Sequence, residues 1–398
     1  MEFVANKRTL EHLLKVTTIL TGKDKYSGVE IKTTKTMVRT TCLNENEITV
    51  SRTSKNVQVE EEGTVTVSAK QLYQLVNKLP NDIAVQIKSR ENEVLVQTDV
   101  NKGKKAYTIA KSNLELPERG NKKEKSIKFK IPGDVLKKEA KKVAFAADPK
   151  SHRPQFTGVF FDFADTTLIM VATDSHQMAM STTDIEIKSA PGAEDAENGA
   201  KELSAIIPKM VIDKLSFLPN QEAEVVLKPS HVQFSAGDTL ISGGLINAQY
   251  VPYQKIIPKE QKTSIQLDPD TMLEALDRAT LFVSKDQASI KLSVSNNKLV
   301  LFAQNETGKG MEELDIKHEG DDINIHFSLE YLTNVFKNVE PVVKETDDEE
   351  GKNPVKYVTF IINGSGAPAM IKGDEKNVFI VVPKLVADTE EEKEESAA

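Results

Sequence analysis

Tryptophan is absent from this 398-residue chain, cysteine occurs once, and aromatic residues of all kinds make up only 6%. A lone Cys42 excludes an intrachain disulfide and a zinc site built on several thiolates, and it points to a reducing compartment, the cytoplasm. No apolar run approaches the ~18 residues of a membrane span, and the opening Met1-Glu2-Phe3-Val4-Ala5-Asn6-Lys7-Arg8 lacks the apolar stretch of a signal peptide, so no membrane partner is expected. Bulk positive charge is missing too. Lysine plus arginine number 52 against 60 acids, a net charge of −8, which excludes a uniformly basic nucleic-acid binder.

The usual marks of catalysis are also missing. The six histidines, His12, His152, His176, His231, His318 and His326, form no pair at the spacing that places two imidazoles on one helix face, so neither a metal nor another cofactor is expected. Gly-x-Gly-x-x-Gly and the phosphate-loop pattern are absent. The nearest glycine groups, Gly243-Gly244 and Gly308-Lys309-Gly310, have no helix after them and read as turns. Asp174-Ser175-His176 holds a carboxylate, a hydroxyl and an imidazole, but neighbours on an extended segment point in alternating directions, and a triad needs convergence from separate elements. The chain is therefore not expected to be an enzyme.

What is present is ordinary globular material, 39% hydrophobic and 28% charged, at a length that calls for two or three domains. Two polar, proline-bearing stretches, 116–125 and 252–262, cut it into thirds. The thirds repeat. Apolar residues at Leu72, Leu75, Val76 and Leu79 mark one helix face ended by Pro80-Asn81; the segment 207–220 repeats the pattern to Leu218-Pro219-Asn220, and 328–339 is a third copy with Pro341 just beyond. An earlier helix opens each third, over 7–16, 134–147 and 269–279. Short alternating runs such as 93–99, 168–174, 231–238, 298–302 and 368–374 read as strands. Each third is thus two copies of a helix-plus-strands unit, an α+β organisation with expected domains at 1–122, 126–257 and 262–387 and an acidic tail at 388–398.

Charge is distributed unevenly over these repeats. Lys137, Lys138, Lys141 and Lys142 fall on one stripe, opposite Leu136, Ala140, Val143, Ala144 and Ala147. Lys7, Arg8 and Lys15, then Lys70 and Lys78, lie mainly off the apolar faces of their helices. The six helices together carry +5, while 345–350 and the last twelve residues each carry −5 and read as solvated or disordered. A solvated face is the ordinary reading of one lysine-bearing helix. Shared by several helices on one surface, the same cations attract phosphate without reading bases.

The most specific residues are Arg153-Pro154-Gln155-Phe156-Thr157-Gly158-Val159 and Val171-Ala172-Thr173-Asp174-Ser175-His176-Gln177-Met178-Ala179. With the opening Met1-Glu2-Phe3, the linker 253–258 and the closing Val381-Val382-Pro383, they resemble the bacterial sliding clamp, the β subunit of the replicative DNA polymerase, over nearly the whole chain. The resemblance implies a head-to-tail homodimer closed into a ring of six domains around double-stranded DNA, with helices lining the hole and antiparallel strands outside. It makes DNA-facing residues of the helix cations named above, of Lys209 and of Arg153. Tyr107, Leu281 and Phe282 are similar to the family's apolar dimer-interface residues and Glu312 and Glu313 to its acidic ones, although Leu281 and Phe282 also suit a core.

A groove for short linear peptides of the DNA polymerase, the clamp loader and repair proteins is implied at Phe156, Thr157, Thr173, Ser175, His176, Met178, Val251, Ile256, Ser328, Tyr331, Val382 and Pro383. The chain departs from the family at Gln177, where arginine is usual, at Gln287, where an apolar residue is common, and at Val382-Pro383-Lys384, which lacks the usual methionines. The alternatives are an enzyme acting on nucleotides or carbohydrates through Asp174 and His176, and a repeat scaffold that does not bind DNA.

Overall fold

The computed structural model describes residues 1–20, 27–100, 103–112, 116, 126–164, 166–189, 204–283, 288–344 and 354–385. The 345–350 acidic segment, the acidic tail and Gln287 lie outside the described residues. The chain forms two compact units: Met1–Lys138 with Phe163–Thr166 and Asp184–Asn247, and Glu139–Asp162 with Thr167–Thr183 and Ala248–Ala398.

Among the described residues, six α-helices appear where the periodicity predicts them: α1 Lys7–Leu14, α2 Ala69–Lys78, α3 Gly133–Ala144, α4 Lys209–Ile212, α5 Pro269–Ala279 and α6 Leu329–Asn338. Side-chain caps set the starts of four. Ser68 Oγ accepts from Gln71 N and Ser328 Oγ from Tyr331 N, so α2 and α6 begin with the same device directly after a strand. Asn6 and Asp268 do the same for α1 and α5. Ends follow from proline: Leu79 before Pro80 and Leu218 before Pro219 are both forced extended, with ψ of 153° and 139°. Two helices differ from expectation in kind. Lys15–Ile19 and Asp213–Phe217 continue α1 and α4 as tighter 3₁₀ turns rather than α-helix.

In the first unit, a five-stranded antiparallel sheet runs in the order Val57–Glu61, Glu2–Asn6, Ala84–Ser89, Glu93–Val100, Gly103–Ala110. A nine-stranded sheet crosses from one third of the sequence to the next. Thr239–Gly244 pairs with Thr49–Ser54 in the register Thr239↔Arg52 and Ile241↔Val50. Helices α1 and α2 pack on each other. Leu10, Leu13 and Leu14 of α1 and Leu72 and Val76 of α2 are buried, with Phe3, Val29 and Ile31 from the strands.

A polar clasp joins the two thirds beside that strand pair. His12 Nε2 meets Asp238 Oδ2 at 2.5 Å, and the buried Arg52 donates to the carbonyls of His12 at 3.1 Å and Phe217 at 3.2 Å. Burial would raise the Asp238 carboxyl, but hydrogen bonds from His12 and Thr239 and the charges of His12 and Arg52 outweigh it and hold the group below its usual value.

The second unit repeats the device. Gln177–Asp184 pairs with Asn377–Val381 in the register Met178↔Ile380, and the sheet continues through Ala369–Lys372, Val355–Ile362, Thr263–Leu267 and Lys317–Gly320. A four-stranded sheet, Gly308–Asp315, Lys298–Asn305, Ser289–Ser295, Ile323–Ser328, stands with α5 and α6, which pack together. Phe360 sits between Phe327 and Phe336 at centroid distances of 5.7 and 6.2 Å. A continuous sheet across each sequence boundary leaves the division into compact units inside the middle third rather than at the linkers.

The expected turns at Gly243-Gly244 and Gly308-Lys309-Gly310 are strands. A side chain at Gly243 would collide with Val211, and one at Gly310 would meet the Phe282 ring at 2.5 Å. These glycines are demanded by close packing against neighbours remote in sequence, not by turn geometry.

Candidate peptide groove and nucleic-acid surface

The signature around Asp174 folds into a tight turn, not the extended segment its strand neighbours suggest. Asp174 Oδ1 accepts from His176 N at 2.8 Å and Gln177 N at 2.9 Å, and its Oδ2 accepts from Gln177 Nε2 at 2.9 Å. Thr173 Oγ1 donates to Gln177 O at 2.7 Å and accepts from Ser175 N, while Ser175 takes a φ of +84°. The carboxylate that a triad would need is thus committed to holding the hairpin. Gln177 serves in this turn, and its Oε1 is buried with no hydrogen-bond partner among the described residues.

The turn forms one wall of a concavity of about 230 Å³ lined by Phe156, Thr173, Ser175, His176, Gln177, Met178, Val251, Ile256, Ile380 and Val382. Val382 is tied to the turn through its N–H to His176 O at 2.8 Å. Val251 and Ile256 come from the segment around the 3₁₀ turn Tyr253–Lys255, which is anchored by Tyr253 Oη donating to Asp162 at 2.8 Å and by Tyr250, stacked on Phe160 at 4.4 Å and donating to Val171 O. Beneath it, Met178, Val171, Tyr253, Ile361, Met370, Val378 and Ile380 form one apolar cluster. Burial pushes the phenols of Tyr250 and Tyr253 upward, so both stay neutral donors.

Eight of the twelve expected groove residues line this concavity. The other four stand back from it. Tyr331 stacks on His176 at 5.9 Å and 13°, Ser328 caps the helix that carries Tyr331, Thr157 donates to Pro154 O, and Pro383 is buried. Ile380 lines the concavity without having been among the expected residues. It pairs with Met178 in the last strand, Asn377–Val381, and stands two residues before Val382, a period-two spacing visible in the sequence. Arg153, expected to face DNA, lies over the Phe156 ring at 5.8 Å.

The helix cations divide into two groups. Arg8, Lys15, Lys70, Lys78, Lys138 and Lys141 are exposed, Arg8 in an ion pair with Asp82. Lys7 and Lys142 are not on the surface stripe predicted for them. Lys7 is 5% exposed and bonds Asn81 Oδ1 at 3.0 Å and Glu11 at 3.3 Å; Lys142 is 6% exposed between Glu139 at 2.9 Å and Glu340 at 3.0 Å, with Ser181 Oγ donating to the same Glu139. Both charges are consumed by partners that include distant segments. Lys137 donates to Leu218 O and Asn220, and Lys209 pairs with Asp213.

Of the interface candidates, Leu281 is 72% exposed, which removes the core reading for it; Phe282 is half-buried over Gly308 and Gly310. Tyr107 is exposed on the end strand Gly103–Ala110. Glu312 and Glu313 lie on the end strand Gly308–Asp315, held by Arg278 at 2.7 Å and Lys298 at 2.8 Å. Among the described residues no cluster of histidine, cysteine and acids suits a metal, and no helix is long and apolar enough to cross a membrane.

Three consecutive stretches match the DNA polymerase III beta subunit: residues 1–117 its N-terminal domain, 130–252 its central domain and 254–344 its C-terminal domain. The chain belongs to the DNA polymerase III beta subunit family, the sliding clamps, whose members are processivity factors without a catalytic site of their own. Among its relatives, the beta sliding clamp of Pseudomonas aeruginosa is 24% identical over 332 residues, 81% of this chain and 82% of that one. That of Bacillus subtilis is 28% identical over 295 residues, 71% and 73%. The fold agrees. Crystal structures of the P. aeruginosa clamp, one bound to griselimycin, superpose with a TM-score of 0.83 at 21% identity, and that of B. subtilis with 0.80 at 22%, each covering 97% of this chain and all of the other.

Proposed function

We infer that two copies of the chain close head to tail around duplex DNA in the cytoplasm and carry the polymerase, the clamp loader and repair proteins through the groove beside His176. The observation that carries the ring is a pair of end strands that complement each other. Gly103–Ala110 offers Lys105 and Tyr107, and Gly308–Asp315 offers Glu312, Glu313 and Met311 beside the protruding Leu281. Pairing one subunit's first edge with the other's second covers two aggregation-prone edges at once. Weak contacts from Arg8, Lys15, Lys70, Lys78, Lys138 and Lys141 then suffice, because topology holds the DNA and the contacts need only permit sliding.

The groove fits an extended peptide. Its volume, below the ~300 Å³ at which small-molecule pockets begin, suits one or two apolar side chains, each contributing ~1.5–3 kcal/mol, and micromolar affinity follows after ordering costs. We assign the domains to 1–122, 126–257 and 262–387. Sedimentation of the wild type and of Leu281→Asp tests the ring: a dimer that becomes monomeric on substitution supports it, and a wild-type monomer or an unaffected variant dimer contradicts it.

A further inference from the structure

A hollow on the first unit is far from the peptide groove in sequence and of opposite character. It encloses about 850 Å³ between α2 and the 3₁₀ turn Lys15–Ile19. Lys70, Tyr73, Gln74, Asn77 and Lys78 face it at the i, i+3, i+4, i+7, i+8 spacing of one helix face, and Thr18 stands opposite. Leu72 and Val76 occupy the other face and are fully buried, which fixes the rotation of the helix. Lys70 and Lys78 are exposed, about 12 Å apart along the axis, and neither makes an ion pair among the described residues. No carboxylate lines the hollow among the described residues. Tyr73, half-exposed and between the two lysines along the helix, is the one aromatic side chain among the described lining residues.

Two cations bracketing an aromatic ring, with amides and a hydroxyl between them, is the chemistry that receives an unpaired nucleotide: phosphates at the two lysines, a base on the ring. A duplex cannot use the ring, because its bases are stacked inside. We propose that this hollow captures single-stranded DNA, giving the chain a contact for the unpaired strand next to a primer end in addition to the duplex it encircles. The inference rests on the DNA-encircling reading above and shares Lys70 and Lys78 with it; Tyr73 and the unpaired ligand set the two apart.

The test is fluorescence anisotropy of the full-length protein with an oligo-dT probe of about 10 nucleotides, within the ~4–16 that single-strand modules occupy, and with a duplex of the same length. Tyr73→Ala should weaken oligo-dT binding about tenfold and leave the duplex unchanged, and Tyr73→Phe should restore it. Lys70→Gln with Lys78→Gln should lower the salt slope for the single strand by about 1.4, at about 0.7 for each phosphate no longer neutralised. Equal affinity of Tyr73→Ala and wild type for oligo-dT, or a Tyr73→Phe as weak as Tyr73→Ala, overturns the proposal. Retention of Tyr73→Ala on nicked circular DNA reports the encircling reading independently, since a ring without this aromatic contact still holds the circle.

Discussion

Met178 lines the groove and Tyr331 stands behind its wall, stacked on His176, so substituting them should disturb different properties. Met178 lies in the apolar cluster below the groove floor, so Met178→Ala should cost about 2–5 kcal/mol of stability, seen as a lower denaturation midpoint along with any weakening of binding. Tyr331 is half-exposed and stacked on His176. Tyr331→Ala should therefore weaken capture of a polymerase-derived peptide about tenfold by calorimetry, the effect of removing one aromatic ring, with the midpoint nearly unchanged. Unchanged peptide affinity in Tyr331→Ala would remove the His176–Tyr331 pair from the site. Lys142 stands at the other extreme. Lys142→Ala strands Glu139 in the interior and should cost about 3–5 kcal/mol by chemical denaturation, where a lysine on a solvated stripe would cost almost nothing.

At the scale of elements, the His12–Asp238–Arg52 clasp ties two thirds of the sequence within one unit, and its pH response has a definite sign. The Asp238 carboxyl is depressed in the folded state, so its stabilisation is fully present above the ordinary aspartate value near about pH 4 and is lost as pH falls through the lower folded value. Thermal melts from about pH 6 to about pH 2 should show a steeper acid decline for the wild type than for Asp238→Asn; parallel curves would show that the clasp contributes nothing.

The helices are legible in the sequence because period, caps and terminal prolines all act locally. Lys7, Lys142, Gly243 and Gly310 are not, because what decides them, Asn81, Glu340, Val211 and the Phe282 ring, comes from elsewhere in the chain. The groove is readable through the resemblance of 153–159 and 171–179 to a known family. The Asp174 turn within it needs three-dimensional hydrogen bonds to be seen.

For the whole molecule, the net charge of −8 and the proposed grip on DNA are compatible because the charges are segregated. Ten units of negative charge sit in 345–350 and the last twelve residues, while Lys70, Lys78, Lys138 and Lys141 stand exposed on helices. Screening over about 10 Å at moderate salt makes the field that DNA meets a local one. Encirclement is a matter of topology, and retention on DNA of different topology tests it most directly. After loading onto nicked circular plasmid, the protein should co-elute with the DNA in gel filtration at a salt concentration that abolishes non-specific binding, and should be released when the plasmid is cut once. Equal retention on the circle and on the linear product would contradict encirclement.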